Sequence, residues 1–516
     1  MSYDGYGRLK TKHAPEQDAN ADTTYNYNLD DSVSSVVDAR GASQTFSYNN
    51  NRHLVTGISY FAPSGIVTSP NVSFTYDAVG NRTSMSDGMG SVSYQYDQLS
   101  RLSSEARTFA DASTAINGVT STISYDYNMA NELKSITDPA GATINYGFDL
   151  AGRLNAVTGS LFGGVTSYAS GTQYRAWGGL KHLNYGNNPR TVNATYNARL
   201  QPASFNIPGV MSKTYDYYAD GQLRFSSDLL DHKFDRSYNH DHLGRLKEAF
   251  SGAEARGEPA TNDRPYKQTF AYDSFSHLTA RTSNNWSDFS SMSDSYTNNR
   301  RDGWDYDAEG NLMASIDVTY SYDAAGEIRT VGTFEPQSTT TRSSDGEGRQ
   351  VKTVEATFNE SSQTWTTATT YYLHSTVLSG QVLTEMAADG VKTRTFVYAG
   401  GTVLAWQKYF GTAEAVEWEH RDASNASFRT TTINGSASVG AELDPTNADA
   451  GTHAPLISPS PPDENMGSLV PYPSFNDSHT LTRGYRIDGI TVPADYFWQS
   501  VDTTFHGSFL EMAQFL

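Results

Sequence analysis

A chain of 516 residues with 57 acidic and 37 basic side chains carries a formal charge of −20, and lacks the positive footprint that nucleic acid or an anionic membrane requires. It has no cysteine, which excludes disulfides and thiolate chemistry and leans towards a bacterial product. No run reaches the roughly 20 apolar residues of a membrane span, and the low apolar content of 37% is accompanied by 33 Tyr and 23 Phe, rings that suit sheets wetted on a face.

From the first residues to about 350 one phrase returns: an aromatic-x-Tyr run, then Asp or Asn, a turn former, and Arg or Asn with Leu. It reads Tyr76-Asp77-Ala78-Val79-Gly80-Asn81-Arg82 and Phe148-Asp149-Leu150-Ala151-Gly152-Arg153-Leu154. Further copies are Tyr306-Asp307-Ala308-Glu309-Gly310-Asn311-Leu312 and Tyr322-Asp323-Ala324-Ala325-Gly326-Glu327-Ile328. Spacings of 21 separate Tyr27 from Tyr48, Tyr127 from Phe148 and Tyr217 from Tyr238, with 20 from Tyr76 to Tyr96 and 22 from Tyr174 to Tyr196. A unit of roughly 20 residues holds two strands and two turns, and is too short for a helix pair. Tyr94-Gln95-Tyr96 and Tyr320-Ser321-Tyr322 alternate ring and polar side chain at period two, which puts both rings on one face of a strand. The expectation is an all-β, quasi-one-dimensional array of stacked hairpins. Residues 103–115 and 251–264 are read as irregular insertions.

The texture changes near residue 351. Residues 351–445 read as the β-rich end of the same body, with a meander over 376–407 whose runs are Val377-Leu378, Gln381-Val382-Leu383-Thr384, Thr395-Phe396-Val397-Tyr398 and Val403-Leu404-Ala405-Trp406. Asp389-Gly390 and Gly400-Gly401 supply its hairpin turns. Residues 446–475 crowd Pro455, Pro459, Pro461, Pro462, Pro471 and Pro473 into a linker. In the tail, 476–516, Thr491-Val492-Pro493 is expected to open one helix that presents Phe497, Val501 and Phe505 on a single face.

These phrases resemble the Tyr-Asp-x-x-Gly-Arg-Leu signature of the YD-repeat, or Rhs (rearrangement hotspot), family. The resemblance rests on the copies at Tyr3, Tyr76, Tyr96, Phe148, Tyr238, Tyr306 and Tyr322, and spans roughly residues 1–445. The residues that carry it as structural positions are Tyr76, Asp77, Gly80, Tyr96, Asp97, Asp149, Gly152, Arg153, Leu154, Gly244, Arg245, Leu246, Tyr306, Asp307, Gly310, Tyr322, Asp323 and Gly326. The copy from Tyr238 to Leu246 is read as carrying two extra residues. The resemblance implies a β-ribbon spiralling into a large hollow shell, which in bacterial members encloses a C-terminal polymorphic toxin and in animal relatives serves cell-surface adhesion. Complete bacterial shells end in an Asp-Pro-x-Gly motif where some self-cleave. Here the nearest match is Asp444-Pro445-Thr446-Asn447, without a recognisable self-cleavage environment and without a toxin-sized segment after it. Because Met1-Ser2-Tyr3-Asp4-Gly5-Tyr6-Gly7-Arg8-Leu9 already lies inside a repeat, the chain is expected to be part of a longer array, or a product exported to the outside or the cell surface without a cleaved leader.

Candidate chemistry is sparse. His240-Asp241-His242, with Asp231, His232 and Asp235 nearby, is the densest titratable cluster, but it sits in a turn and lacks a distant third metal ligand. Trp418-Glu419-His420-Arg421-Asp422 offers an acid/base pair and reads instead as a loop. Asp302, Asp305 and Asp307 around Trp304 lack the calcium-loop pattern and read as solvated turn carboxylates. No catalytic residue, cofactor or metal is assigned, and the expected role is a non-catalytic shell segment. The expected partners are an enclosed toxin or a secretion-apparatus component. The alternatives are a glycan-binding or adhesion module and, last, an enzyme.

Overall fold

The computed structural model describes residues 1–439 apart from 187–189, 259–266, 286–287, 335–336, 412, 424–427 and 434–436, together with strands Tyr485–Ile487 and Ile490–Val492. The Pro-rich linker, Asp444-Pro445 and the expected tail helix lie outside the described residues. Thr491 and Val492, expected to open that helix, lie in the second strand of a short hairpin instead. Among the described residues the rest is strand, turn and loop except a 3-10 turn at His232–Phe234 and one helical turn at Gly252–Ala255.

The chain divides into two compact units, each with a first pass and a return pass. One comprises residues 1–126, 137–141 and 296–395, and the other 127–136, 142–295 and 396–516. In the first unit the strands from Ser2–Tyr3 to Thr120–Tyr127 pair antiparallel, each with the next. The return strands from Asp305–Tyr306 to Lys392–Ala399 do the same. The second unit holds the strands from Thr143–Phe148 to Asp288–Ser293 and a return from Thr402–Phe410 to Ala437–Val439. Alternation selects the core: in Val72–Tyr76, Gly90–Tyr96 and Thr120–Tyr127 every second side chain is buried, among them Phe74, Val92, Tyr94, Ile123 and Tyr125.

The repeated phrase can now be read residue by residue. The Asp77 N–H donates to the Asn81 carbonyl (2.9 Å) and the Gly80 N–H to the Asp77 carbonyl (3.2 Å), which closes a tight five-residue turn. Asp77 Oδ1 accepts the N–H groups of Val79, Gly80 and Asn81 at 3.0, 2.7 and 2.8 Å, so the carboxylate caps its own turn. The same backbone pair recurs at Asp4, Asp97, Asp149, Asp241, Asp307 and Asp323. The fourth turn residue needs positive φ, which Gly80 (100°) and Gly152 (74°) adopt freely; Ser100 (60°), Asn131 (70°) and Leu200 (65°) take it in other copies.

After these YD turns the strand carries a bulge. Tyr96 pairs with Leu102 but Gln95 with Ser104, and Tyr174 pairs with Leu180 but Gln173 with His182. The next tyrosine along the rim bonds to the carbonyl of that bulge residue. Tyr27 donates to Leu9, Tyr96 to Arg82, Tyr174 to Leu154, Tyr196 to Leu180 and Tyr272 to Leu246, at 2.6–2.9 Å. The phrase's arginine completes the stitch: Arg153 Nε donates to Asp149 at 2.8 Å while its guanidinium lies 5.1 Å from the centre of the Tyr174 ring, and Arg245 bridges Asp241 and Tyr272 in the same way.

Four expectations change. The copy ending at Leu246 has no extra residues: His240 pairs with Leu246 as Tyr306 pairs with Leu312, so His240 stands at the ring position and the turn has its regular length. The step from Tyr217, which pairs with Leu223, is longer than 21 because the 3-10 turn at His232–Phe234 intervenes. Residues 103–109, read as part of an insertion, lie in strand Leu102–Phe109. Val377 and Leu378, read as a strand, occupy a turn in which the Gly380 N–H donates to the Ser375 carbonyl at 2.8 Å.

Removing one stitch should be measurable. Tyr174→Phe is expected to lower stability by about 1–2 kcal/mol, since it leaves the Leu154 carbonyl without its donor. Phe148→Tyr, at a ring position that lacks the hydroxyl, is expected to raise it by about 0.5–1 kcal/mol. Urea midpoints of the two variants, moving in opposite directions from wild type, check both.

Candidate functional site

In the first unit the return turns are seated on loops at the far rim of the first pass, in chain order. The Ala308 carbonyl accepts the Asp18 N–H at 3.0 Å, and Glu309 accepts the Ala39 N–H at 2.6 Å. Next, the Ala324 N–H donates to the Val67 carbonyl at 2.9 Å and the Ala325 N–H to Ser69 Oγ at 2.8 Å, with Val67 and Asp323 forming a lone parallel bridge. Then the Gly346 N–H donates to Asp87 at 3.2 Å, and Glu347 pairs with Arg82. These tips are small because the approach is close: a Cβ at Gly346 would lie 2.5 Å from Val72 Cγ1, and one at Gly310 would lie 2.6 Å from the Glu16 carbonyl oxygen.

Further along, the seam becomes a buried polar network. Glu105 accepts the Thr376 N–H and hydroxyl at 2.8 and 2.7 Å, and also the Tyr125 hydroxyl. Asp111 pairs with Lys352 and accepts the Tyr371 hydroxyl at 2.5 Å, while Asp138 accepts Lys392 Nζ at 2.5 Å and the Thr395 hydroxyl at 2.9 Å. Within the second unit the seam is aromatic: the Trp418 indole N–H donates to the Tyr168 carbonyl at 3.0 Å and Gln407 donates to the Tyr168 hydroxyl at 2.6 Å.

This arrangement, a capped-turn ribbon seated on an earlier pass of itself, matches known proteins. Residues 58–228 match the family model described as Teneurin YD-shell. A Photorhabdus luminescens Tc holotoxin pore carrying a TccC3 mutation shares the fold over 86% of this chain and 25% of that one, at 14% identity and a TM-score of 0.67. Crystal structures of TcdB2-TccC3 and of TcdB2-TccC3-Cdc42 share it over 85% of this chain and 23% of theirs, at 13% identity and TM-scores of 0.61 and 0.62. The chain carries the YD-shell fold. It spans about a quarter of the length of these solved relatives, and no curated protein matches it.

Sequence reasoning located the turns of the YD phrase and missed the seam. Asp77, Asp97, Asp149 and Asp241 cap turns at the free rim, whereas Asp307 and Asp323 cap turns seated in the joint. Their carboxyls differ accordingly. Asp97 is held below its ordinary value by the Arg101 N–H and guanidinium, whereas burial pushes Asp323 up, against the Glu327 N–H. Glu105 and Asp111 carry no local motif that points to the seam, since their partners across it lie more than 200 residues away.

The other candidates resolve into structural roles. Asp241 caps its turn, and His240 sets its ring edge-on to Tyr218 with its pKa lowered by burial. His232 lies 3.1 Å from the buried Asp235, which also holds Arg256 at 3.1 Å and the Asp228 N–H at 2.7 Å. Trp418 to Arg421, expected in a loop, lie in strand Ala413–Arg421, because alternate side chains from it bury against Tyr168 and Tyr185. His420 in that strand is fully buried, donates or accepts with Thr431 at 2.7 Å, and is lowered to about 3 by burial. Asp307 caps a turn, and Trp304 lies beneath Arg301, whose guanidinium is 4.2 Å from the ring centre. Among the described residues no three of the His, Asp and Glu side chains are placed to hold a metal.

The seam carboxylates should titrate with opposite signs. Burial raises Glu105 more than its hydrogen bonds lower it, so its stabilisation is complete below the ordinary glutamate range and is lost as pH rises through the raised value. For Asp111 burial opposes the charge, but Lys352, Ser113 and Tyr371 outweigh it and hold the carboxyl below its ordinary value. Its stabilisation is present at neutral pH and lost as pH falls below about 4. Glu105→Gln is therefore expected to flatten the stability loss above about pH 5. Asp111→Asn is expected to cost about 3 kcal/mol at neutral pH, a gap that narrows as pH falls below about 4. Urea midpoints from pH 3 to 8 test both, and a pH-independent effect at Asp111 would contradict the ion-pair account.

Proposed function

We propose that this chain is a non-catalytic wall segment of a YD/Rhs-type shell, whose complete assembly encloses a protein toxin and releases it at a target. The observation that carries the reading is the in-order seating of return turns on first-pass loops within the first unit, which joins two stretches of the ribbon to each other. The polar groups of the seam are spent on each other: Glu105, Asp111 and Asp138 face partners from the opposing pass, and each is bonded within the wall. Likeness to the Tc holotoxin pore and to the TcdB2-TccC3 complex supports the toxin-containing context. A net charge of −20 keeps such a wall soluble and clear of nucleic acid.

Breaking the joint tests the wall. Ala324 is buried at a seated tip and Gly346 is pressed on Val72 and Met85, so Ala324→Trp with Gly346→Val should pry the passes apart. Native digestion with proteinase K is expected to leave the wild-type ribbon intact and to degrade the double variant at least about tenfold faster. A polypeptide that copurifies with the chain is expected to resist digestion with wild type and to be cut with the variant. Hydrolase turnover abolished by changing one carboxylate would contradict the non-catalytic reading.

A further inference from the structure

One stitch in the return pass of the first unit is made by a histidine. The turn from Asp345 to Arg349 is a YD turn: the Asp345 N–H donates to the Arg349 carbonyl at 2.8 Å, and Asp345 Oδ1 accepts the Glu347 and Arg349 N–H groups at 2.9 Å. Ser344 pairs with Gln350 across the bulge that follows, so the Gln350 carbonyl is the one the next ring must bond. That ring is His374, in strand Thr364–Ser375, whose Nε2 lies 2.7 Å from the Gln350 carbonyl oxygen. Its Nδ1 lies 2.8 Å from a second carbonyl oxygen, that of Gly380. A carbonyl can only accept, so both contacts are hydrogen bonds only when both ring nitrogens carry protons, as in the imidazolium. The neutral ring would set one lone pair against a carbonyl oxygen. A tyrosine hydroxyl, which ordinarily titrates near about 10, donates throughout the physiological range, whereas a half-buried imidazole changes charge within it.

The charged groups gathered around the ring come from three elements. The Asp345–Arg349 turn brings Asp345 and Glu347, whose carboxyls burial pushes up and Arg349 and a cationic His374 draw down. Strand Leu102–Phe109 brings Glu105 and Arg107, and strand Arg82–Asp87 brings Arg82 and Asp87. The guanidinium groups, which oppose a proton on the ring, are turned to carboxylates of their own: Arg349 to Glu347 at 2.6 Å, Arg107 to Asp87 at 2.7 Å and Arg82 to Glu347. The turn after the ring, Ser375 to Gln381, brings no charge. It is nevertheless the part that docks. Ser375 Oγ meets the Tyr125 hydroxyl at 2.6 Å, and the Thr376 N–H and hydroxyl donate to Glu105 at 2.8 and 2.7 Å. Through the Gly380 and Gln350 carbonyls, His374 ties this docked turn to the neighbouring strand Gln350–Asn359.

We propose that His374 is a pH-sensitive latch on the joint of the first unit: as imidazolium it clamps the turn that docks on Tyr125 and Glu105, and on losing a proton to solvent it frees that turn from the first pass. Holding the proton in the folded joint and not in the unfolded chain makes the clamp complete below the ordinary histidine range, at about pH 6. The clamp is lost as pH rises through the folded joint's own value. The latch acts in the same direction as Glu105, which the joint also holds best in acid. It stands on the geometry of the seam and is independent of what the wall encloses.

Nitrogen NMR of the full chain, labelled with nitrogen-15 at histidine, tests the charge, with His374→Gln identifying the signal. At about pH 7.5 a free histidine is neutral in roughly nine molecules of ten, whereas His374 is expected to carry protons on both nitrogens in most. A His374 ring that is neutral at that pH overturns the latch. Amide hydrogen exchange, corrected for its intrinsic pH dependence, reads the joint. Protection of the peptide 375–381 is expected to fall at least about tenfold between about pH 6 and 9 in wild type. His374→Tyr offers the Gln350 carbonyl the hydroxyl used in other copies, and its protection is expected to change less than about twofold. Glu105→Gln removes that carboxyl's own titration and is expected to keep the fall. A fall that persists in His374→Tyr and vanishes in Glu105→Gln overturns the latch, because the carboxylate alone would then carry the pH dependence. The charge of the ring is read on the wild-type chain and does not depend on the folding of the tyrosine variant.

Discussion

The interaction on which the rest of the structure depends is a tyrosine hydroxyl donated backwards along the rim. A bulge after the YD turn breaks the strand ladder at one residue, and a carbonyl taken out of water there cannot be left unbonded without a cost of about 1–3 kcal/mol. The next repeat's tyrosine supplies the donor, as Tyr96 does for Arg82 and Tyr196 for Leu180. This bond links each hairpin to the one before it, so that hairpins marginal in isolation become a ribbon. The aspartate caps the turn, the glycine takes the left-handed conformation and the arginine ties the aspartate to the next ring. The phrase is thus one mechanical unit in which each residue has a separate task.

A ribbon so stitched still has two bare rims, and the fold covers part of one by laying its own return pass against it. Where the passes meet, the tips shrink to Ala324-Ala325 and Gly346 and the backbone itself makes the contacts. Deeper in the seam, Glu105, Asp111 and Asp138 are bonded to residues from the other pass, which fixes its register at the expense of burying charge. The two kinds of aspartate turn differ in environment alone: Asp97 at the open rim is held charged, and Asp323 in the joint is pushed towards the neutral form.

What was legible in the sequence was whatever repeats locally. The period, the all-β class and the turn residues all follow from the Tyr-Asp phrase, because its hydrogen bonds join residues two to four apart or about one repeat apart. Counting from the visible tyrosine misplaced the copy at Tyr238, since a histidine, His240, holds the ring position there and only the strand register reveals it. The seam was illegible because Glu105 and Thr376 are 271 residues apart and neither carries a motif. The Trp418–Arg421 segment was misread as a loop because its charged residues conceal a strand whose buried members, Trp418 and His420, find their partners on Tyr168 and Tyr185.

The claim that the return pass is seated on the first in a single register can be measured directly, and the absence of native cysteine makes the test clean. In Ser69→Cys/Ala325→Cys one thiol replaces the Ser69 hydroxyl, which accepts the Ala325 N–H at 2.8 Å across the joint, and the other is added on the Cβ of Ala325 itself. Mild oxidation should close a loop visible as a faster band on a non-reducing gel, while the out-of-register pair Ser69→Cys/Ala308→Cys should remain reduced. Equal crosslinking of both pairs, or of neither, would contradict the account.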